Sequence, residues 1–220
     1  HMTKHIKEIT SRTEYSSDLE QFLQSVYTLN FNRPDEQMEI YGTDQKARFY
    51  HSSLVEDHGW VPPAKAASYV MLNFHRDRHV ADIGCGTGAI GKLLQTGNYT
   101  NVDGYDLSPA MTQIASPYYK SVKVHNVIDR PLDSRYDAIT ATGVFTKGHL
   151  DASVLPNLTQ SLRPNGELVV TFPLFKDYDY EKEAGWKQQD LMEEKFRQVF
   201  DGYTLNNNSM MMQLVVYKLA

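Results

Sequence analysis

Cysteine is nearly absent from this 220-residue sequence, since Cys85 is the only one. One thiol excludes an intrachain disulfide and a metal site built from several cysteines, and it is typical of a reducing compartment. No run of 18 apolar residues occurs, and the amino terminus lacks the short apolar stretch of a secretory signal. We therefore expect a cytoplasmic protein that has no membrane partner.

The sequence also lacks a surplus of basic residues. Lys and Arg total 22 and Asp and Glu total 27, so the formal net charge is −5. This balance argues against a chain that acts as a whole as a nucleic-acid clamp, and we expect no nucleic-acid partner. Hydrophobic residues make up 41% and charged residues 22%, which is typical of a globular protein.

Short apolar runs alternate with helical patterns through most of the sequence. The predicted strands are residues 79–83, 102–107, 122–128, 136–141 and 167–172. The predicted helices begin at Pro62, after Gly88, at Ser108 and near Val154. This alternation is typical of a doubly wound parallel sheet, covered by helices on both faces. After a further predicted helix at 189–200, residues 203–207 and 211–219 are expected to form an antiparallel hairpin at one edge.

The first 60 residues have a different pattern. Apolar residues recur at helical spacing within 17–29, and a polar stretch follows. We expect residues 1–60 to form a helical cap or lid on a core formed by residues 61–220, the two together making one structural domain. Tyr50, His51 and His58 are candidates for substrate contacts from this segment. Ordinary packing and surface polarity remain alternative interpretations for them.

The central motif is a glycine turn directly after a predicted strand. Gly84, Gly86 and Gly88 occupy alternate positions, so the backbone can approach a ligand closely, and the following helix offers free N–H groups. Residues 86–91 also match G-x-G-x-x-G, the dinucleotide fingerprint, and Asp106 lies 20 residues after Gly86, where an acid suits a ribose. The glycines alone therefore leave S-adenosylmethionine and a nicotinamide cofactor as alternatives.

Three features favour the methyl donor over a nicotinamide cofactor. The turn begins directly after the strand as G-x-G-x-G. Asp82 lies two residues before it, where a carboxylate suits an ammonium and a sulfonium and repels a pyrophosphate. Asp106 ends a strand, and Ser108-Pro109 opens a helix just beyond it. A tight strand-to-helix turn without a ligand is the simpler alternative, but three glycines cost chain entropy with no packing return.

Four segments together resemble class I S-adenosylmethionine-dependent methyltransferases, in the order expected for that superfamily. They are residues 80–91, 104–111, 136–145 and 162–170. Residues 102–111 and 143–150 resemble, more narrowly, the methyltransferase-like proteins of the Williams–Beuren region group. The resemblance implies a Rossmann-like seven-stranded sheet with S-adenosylmethionine as cofactor and S-adenosylhomocysteine as product, and we expect no metal.

The resemblance also implies positions for the ribose and the adenine. Asp106 would accept hydrogen bonds from both ribose hydroxyls, and Leu107 and Met111 would flank the adenine. Contacts to the methionine moiety and ribose are expected from Asp82, Gly84, Cys85, Gly86 and Gly88. At the end of the fourth strand, residues expected to face the methionine end of the donor are Thr142, Gly143 and Phe145.

One position departs from the pattern of the superfamily. In many relatives an Asp after the third strand accepts a hydrogen bond from the adenine amino group, whereas here Val127 aligns with that place. Asn126, Asp129 or only the backbone N–H of Ile128 could make the contact instead.

Methyl transfer needs alignment of the reactants and exclusion of water more than it needs a catalytic motif. A base is required only when the acceptor carries a proton of high pKa. His149, after the fourth strand, is the best candidate for a base or a substrate contact, although a solvated or helix-capping histidine is the alternative. We expect a small-molecule acceptor. A nicotinamide-dependent oxidoreductase and a catalytically silent S-adenosylmethionine-binding protein are the rival hypotheses, and the oligomeric state stays open.

Overall fold

The computed structural model describes residues 61–205 and 208–220. The predicted cap of residues 1–60, with its helix at 17–29 and the candidates Tyr50, His51 and His58, lies outside the described residues. The strands are β1 Val80–Ile83, β2 Val102–Asp106, β3 Ser121–Val124, β4 Tyr136–Ala141, β5 Leu162–Pro173, β6 Met192–Leu205 and β7 Asn208–Leu219. The helices are α1 Pro62–Asn73, α2 Ala89–Thr96, α3 Pro109–Ala115, α4 Leu155–Gln160 and α5 Tyr180–Glu183, with 3₁₀ turns at Ser116–Tyr118 and Ala152–Val154.

The strands form one seven-stranded sheet in the order β3-β2-β1-β4-β5-β7-β6. All neighbouring pairs from β3 to β5 are parallel, whereas β7 is antiparallel to both β5 and β6. The predicted Rossmann-like doubly wound sheet with a terminal antiparallel hairpin is therefore confirmed. Its order reverses between β1 and β4, and ligands of open α/β sheets bind at such a reversal, beyond the carboxyl ends of the strands.

Alternate strand residues pack against helices on opposite faces of the sheet. Val80 belongs to the core formed with α1 and α2, whereas Ala81 and Ile83 belong to the core formed with α4. Leu155 and Leu158 of α4 are fully buried in that second core. Because the two faces alternate along β1, Asp82 lies on the face of α2.

The helix predicted at 189–200 is wrong, because residues 192–200 belong to β6. Their apolar spacing and their Glu, Lys and Arg content favour a helix locally. Pairing with β7 decides otherwise, placing Met192 opposite Leu219 and Phe200 opposite Met212. Two register shifts, between Glu194 and Phe196 and between Asp201 and Tyr203, let this edge strand follow its partner despite its irregular pattern.

The third predicted strand is shorter than expected. β3 ends at Val124 rather than Ile128, and residues 125–133 leave the sheet as a loop at its carboxyl edge. This early departure brings residues 125–128 to the cavity described below. Among the described residues, no helix has the length and apolar character needed to cross a membrane.

Candidate cofactor-binding and active site

A cavity opens beyond the carboxyl ends of β1, β2 and β4, at the reversal of the strand order. The space within it, together with the open solvent at its mouth, is about 880 Å³. The loops after these strands and after β3 line it. The residues in contact with the cavity are Ile83, Gly84, Gly86, Tyr105, Asp106, Leu107, Ser108, Met111, His125, Asn126, Val127, Ile128, Thr142, Gly143, Val144, His149 and Leu150.

The glycine turn forms the floor of the cavity between β1 and α2. Gly84 and Gly86 have φ values of +62° and +55°, in the region that side chains rarely adopt. A Cβ built on Gly84 would lie 2.2 Å from Cγ2 of Val144, so the close approach of the two loops also requires glycine there. Both glycines therefore bring backbone directly to the cavity.

Cys85 and Gly88 belong to the same turn but do not line the cavity. The Cys85 side chain is buried toward β2, where a Cβ on Gly104 would lie 3.2 Å from its Sγ. Burial raises the pKa of the thiol well above its usual value, which excludes a thiolate nucleophile at neutral pH. Gly88, with φ of +98°, is the residue that precedes α2.

Asp106 ends β2 with its carboxylate at the cavity. Its two oxygens accept hydrogen bonds of 2.9 Å from the backbone N–H groups of Gly86 and Ser108. Burial raises the pKa of this carboxyl, while the backbone donors oppose the increase. Each oxygen keeps a further lone pair, so the carboxylate can accept from two neighbouring hydroxyls of a ligand.

The wall after β3 is a loop with fixed hydrogen bonds. The Arg130 guanidinium donates to Nδ1 of His125 at 3.0 Å, so Nε2 carries the proton and donates to the Arg130 carbonyl at 3.2 Å. The Asn157 amide donates to the Val127 carbonyl at 2.7 Å. The N–H of Ile128 donates to Oδ1 of Asn126 at 3.0 Å, so this N–H is already used within the loop.

The segment after β4 forms the opposite wall. The Gly143 N–H donates to Oγ1 of Thr171 at 3.2 Å, which fixes the turn next to β5. His149 lines the cavity with only 8% of its surface exposed, and burial lowers its pKa to about 4. The imidazole is therefore neutral at physiological pH. Phe145, in contrast, is fully buried against Trp186, with ring centroids 4.9 Å apart.

Ten of the residues expected from the sequence line this one cavity. They are Gly84, Gly86, Asp106, Leu107, Met111, Val127, Ile128, Thr142, Gly143 and His149. The other four described candidates lie beside or behind it: Asp82, Cys85, Gly88 and Phe145.

The sequence prediction did not include several residues of the cavity wall. They are Ile83, Tyr105, Ser108, His125, Val144 and Leu150, whereas Asn126, which also lines the cavity, was already a candidate for the adenine contact. The ends of β1 and β2 supply two of the unpredicted residues, and His125 directly follows β3. The position of these residues at the carboxyl edge of the predicted sheet was therefore the sequence feature that could have identified them.

The residues present fit S-adenosylmethionine. A carboxylate for a ribose, a glycine floor that a Cβ would fill and an apolar wall that includes Met111 and Val127 lie around one space. Among residues 61–205 and 208–220, no group of three or more His, Cys, Asp or Glu side chains is placed to hold a metal ion.

Comparisons with known proteins agree with this geometry. The methyltransferase domain family matches residues 36–208. The fold is similar to the N-methyltransferase NodS from Bradyrhizobium japonicum in complex with S-adenosylhomocysteine, with a TM-score of 0.61, 15% identity, and coverage of 84% of this chain and 97% of that one. No match is found among the curated proteins.

Two further solved structures share the fold. A TehB-like S-adenosylmethionine-dependent methyltransferase from Corynebacterium glutamicum gives a TM-score of 0.59 at 18% identity, covering 80% of this chain and 97% of that one. Coclaurine N-methyltransferase, bound to N-methylheliamine and S-adenosylhomocysteine, gives 0.60 at 12% identity, covering 98% and 93%.

The family match decides between the two readings of the glycine motif, and a nicotinamide-dependent oxidoreductase is no longer supported. A family that spans most of the chain, the seven-stranded order and the glycine floor beside Asp106 lead to one conclusion. The chain belongs to the methyltransferase domain family and is a class I S-adenosylmethionine-dependent methyltransferase.

Proposed function

We propose that this methyltransferase methylates a small-molecule acceptor by in-line displacement, and that His149 contacts the acceptor. The observation that carries the proposal is that Asp106 and His149 line one cavity. With the donor ribose held at Asp106, the wall formed by Val144, His149 and Leu150 is left for the acceptor. Two apolar side chains and one imidazole suit a small, partly apolar molecule that has a nucleophilic nitrogen or oxygen.

The donor would be held along the carboxyl edge of the sheet. Asp106 would accept from the ribose hydroxyls, Met111 and Val127 would contact the adenine, and the Gly84–Gly86 backbone would lie under the methionine moiety. When bound, S-adenosylmethionine supplies a methyl group on a sulfonium, which is an excellent leaving group. The walls of the cavity would align the acceptor with the methyl group, and the bound donor and acceptor would displace water from it.

His149 would orient the acceptor and take up its proton. The acceptor's lone pair forms the new bond to the methyl carbon, while the electrons of the carbon–sulfur bond remain on sulfur. A nitrogen acceptor thereby becomes cationic, and its proton passes to the neutral imidazole. With a pKa of about 4 the buried imidazole is neutral across the physiological pH range, so it can accept a hydrogen bond from the acceptor, and the positive charge that develops on the acceptor drives the proton onto this weak base.

The proposal is tested by incubating the protein with S-adenosylmethionine and a panel of small amines, phenols and carboxylates, while S-adenosylhomocysteine release is measured. His149→Gln is expected to lower kcat by about 10–100-fold, because acid–base groups typically contribute at least that much. The Kd for S-adenosylhomocysteine should stay within about twofold of wild type, a difference of about 0.4 kcal/mol, because His149 is proposed to contact the acceptor and not the donor. His75→Gln is the matched control, because His75 is exposed, pairs with Asp77 and does not line the cavity.

Three outcomes would contradict this function. Transfer only to added peptides or RNA would exclude a small-molecule acceptor, and donor binding without any release would favour a catalytically silent protein. Equal rates for His149→Gln and His75→Gln would remove His149 from the reaction. The kinship with the Williams–Beuren group, the cytoplasmic location and the absence of a nucleic-acid partner stay predictions from the sequence.

A further inference from the structure

Asp82 and Tyr119 form a hydrogen-bonded pair behind the glycine turn. Asp82 is buried in β1 on the face opposite Ile83, which lines the cavity. Its Oδ2 accepts from the Tyr119 hydroxyl at 2.5 Å, and its Oδ1 accepts from the Thr140 hydroxyl at 2.8 Å. The carboxylate is therefore held from two sides directly before the turn begins.

The Tyr119 ring occupies space that two glycines leave open. A Cβ on Gly91 would lie 2.4 Å from Cζ of Tyr119, and one on Gly104 would lie 3.2 Å from the ring. The Tyr119 hydroxyl also accepts from the Gly91 N–H, at 3.1 Å, in the first turn of α2. One hydroxyl thus connects the strand that enters the glycine turn with the helix that leaves it.

We propose that Tyr119 is a positioning residue for S-adenosylmethionine. The Tyr119 hydroxyl fixes both ends of the glycine turn and stabilises the negative charge of the Asp82 carboxylate beneath the cationic end of the donor. The consequence is selectivity. A negative charge behind the turn attracts the sulfonium of S-adenosylmethionine, which S-adenosylhomocysteine lacks. The same charge therefore favours binding of the donor over binding of the product.

The groups that face Asp82 determine where it ionises. Burial and, to a smaller extent, the negative charge of Asp106 raise the pKa of Asp82, whereas the hydrogen bonds from Tyr119 and Thr140 lower it, and the resulting pKa is about 7. Burial also raises the pKa values of Tyr119 and Cys85 well above their usual values, so both stay neutral near pH 7. Removing the Tyr119 hydroxyl takes away a donor to the carboxylate, which raises the pKa of Asp82.

The test is calorimetric titration of the wild type and Tyr119→Phe with S-adenosylmethionine and with S-adenosylhomocysteine, between about pH 5.5 and 9. Phenylalanine keeps the ring between Gly91 and Gly104 and removes only the hydroxyl. In the wild type, the preference for S-adenosylmethionine should decline as the pH falls through about 7. In Tyr119→Phe this decline should move upward by about one pH unit, with a loss of donor affinity of about fivefold or more at pH 7.

Tyr69→Phe is the matched control for a merely structural effect. The Tyr69 hydroxyl donates to Oε1 of Glu167 at 2.6 Å in a buried contact, so this variant also breaks a tyrosine–carboxylate pair. Both residues lie outside the cavity, on α1 and β5. Tyr69→Phe should lower Tm without changing the donor-to-product affinity ratio at any pH. Titration of groups on the ligands is common to every variant and cancels in the comparison.

Asp82→Asn is the second variant, and it should remove the change in the affinity ratio that the wild type shows near pH 7, leaving only the contribution of the ligands' own titration. The proposal is overturned if the wild-type ratio is constant across this pH range, a result that needs no variant to fold. It is equally overturned if Tyr119→Phe weakens both ligands to the same extent at every pH, or if Tyr69→Phe reproduces its effect.

Discussion

Replacing Asp106 tests the position of the ribose most directly. This carboxylate has two partners within the protein, the N–H groups of Gly86 and Ser108, each at 2.9 Å. Asp106→Ala would leave both N–H groups without their acceptor and would remove the proposed acceptor of the ribose hydroxyls. The variant should therefore lose both stability and affinity for S-adenosylhomocysteine.

The expected loss of binding free energy in Asp106→Ala is the difference between two opposing contributions. Hydrogen bonds to a charged group contribute about 1.5–3 kcal/mol each, so two ribose contacts could amount to more than 3 kcal/mol. Burial raises the pKa of Asp106, which shows that the free carboxylate is incompletely solvated, and its removal relieves that cost. We expect a net loss of about 1–3 kcal/mol in binding, or about 5–150-fold in Kd.

The assay is isothermal titration of S-adenosylhomocysteine, with thermal unfolding measured separately without ligand. Asp137→Ala is the matched control. Asp137 accepts from the His79 N–H at 2.9 Å and pairs with Arg163, but it lies at the opposite, amino-terminal edge of the sheet. The Asp137→Ala variant should lose stability and keep its affinity for S-adenosylhomocysteine. An unchanged Kd in Asp106→Ala, or an equal increase in Kd for both variants, would refute the position of the ribose.

Two further predictions concern the backbone of the glycine turn and pH. Gly84→Ala should raise the Kd for S-adenosylhomocysteine at least about tenfold, because φ at Gly84 is +62° and the new Cβ would meet Val144. The control Gly97→Ala should bind like the wild type, because Gly97 has an ordinary φ and lies beside the flexible Met71. Equal affinities for the two variants would contradict a close approach at Gly84. The pKa of His149 is lowered from 6.5 to about 4, so the unfolded chain takes up this proton first and stability falls as the pH drops from about 6.5 toward 4. Chemical denaturation should show this loss, up to ~3 kcal/mol, reduced in His149→Gln, and parallel curves for the two proteins would contradict it.

The glycine turn and its surroundings illustrate what sequence patterns predict well. Gly84, Gly86 and Gly88 directly follow a strand of apolar residues, and Asp106 ends the next strand, so local chemistry indicated both the turn and its partner acid. The structure joins them by the hydrogen bond from the Gly86 N–H to Asp106. These features depend on backbone conformations and strand ends that neighbouring residues determine.

Contacts that join distant parts of the chain were predicted less well. Most of the helix expected at 189–200 is the strand β6, because β7 supplies a pairing partner that no local pattern reveals. The Asp82 carboxylate contacts Tyr119, a partner 37 residues away along the chain that no local pattern indicated. The N–H of Ile128 was a candidate for reading the adenine, yet it donates to the Asn126 side chain.

The sequence by itself determined the class of fold, the glycine turn, the acid at the end of β2 and, through its resemblance, the methyl donor. Only the tertiary structure decided which face of β1 carries Asp82, which side chains enclose the cavity and how the last two strands pair. The physical reason is that turn chemistry and hydrophobic periodicity are properties of near neighbours. The facing of a side chain and the partner of an edge strand depend instead on packing between segments far apart in the chain.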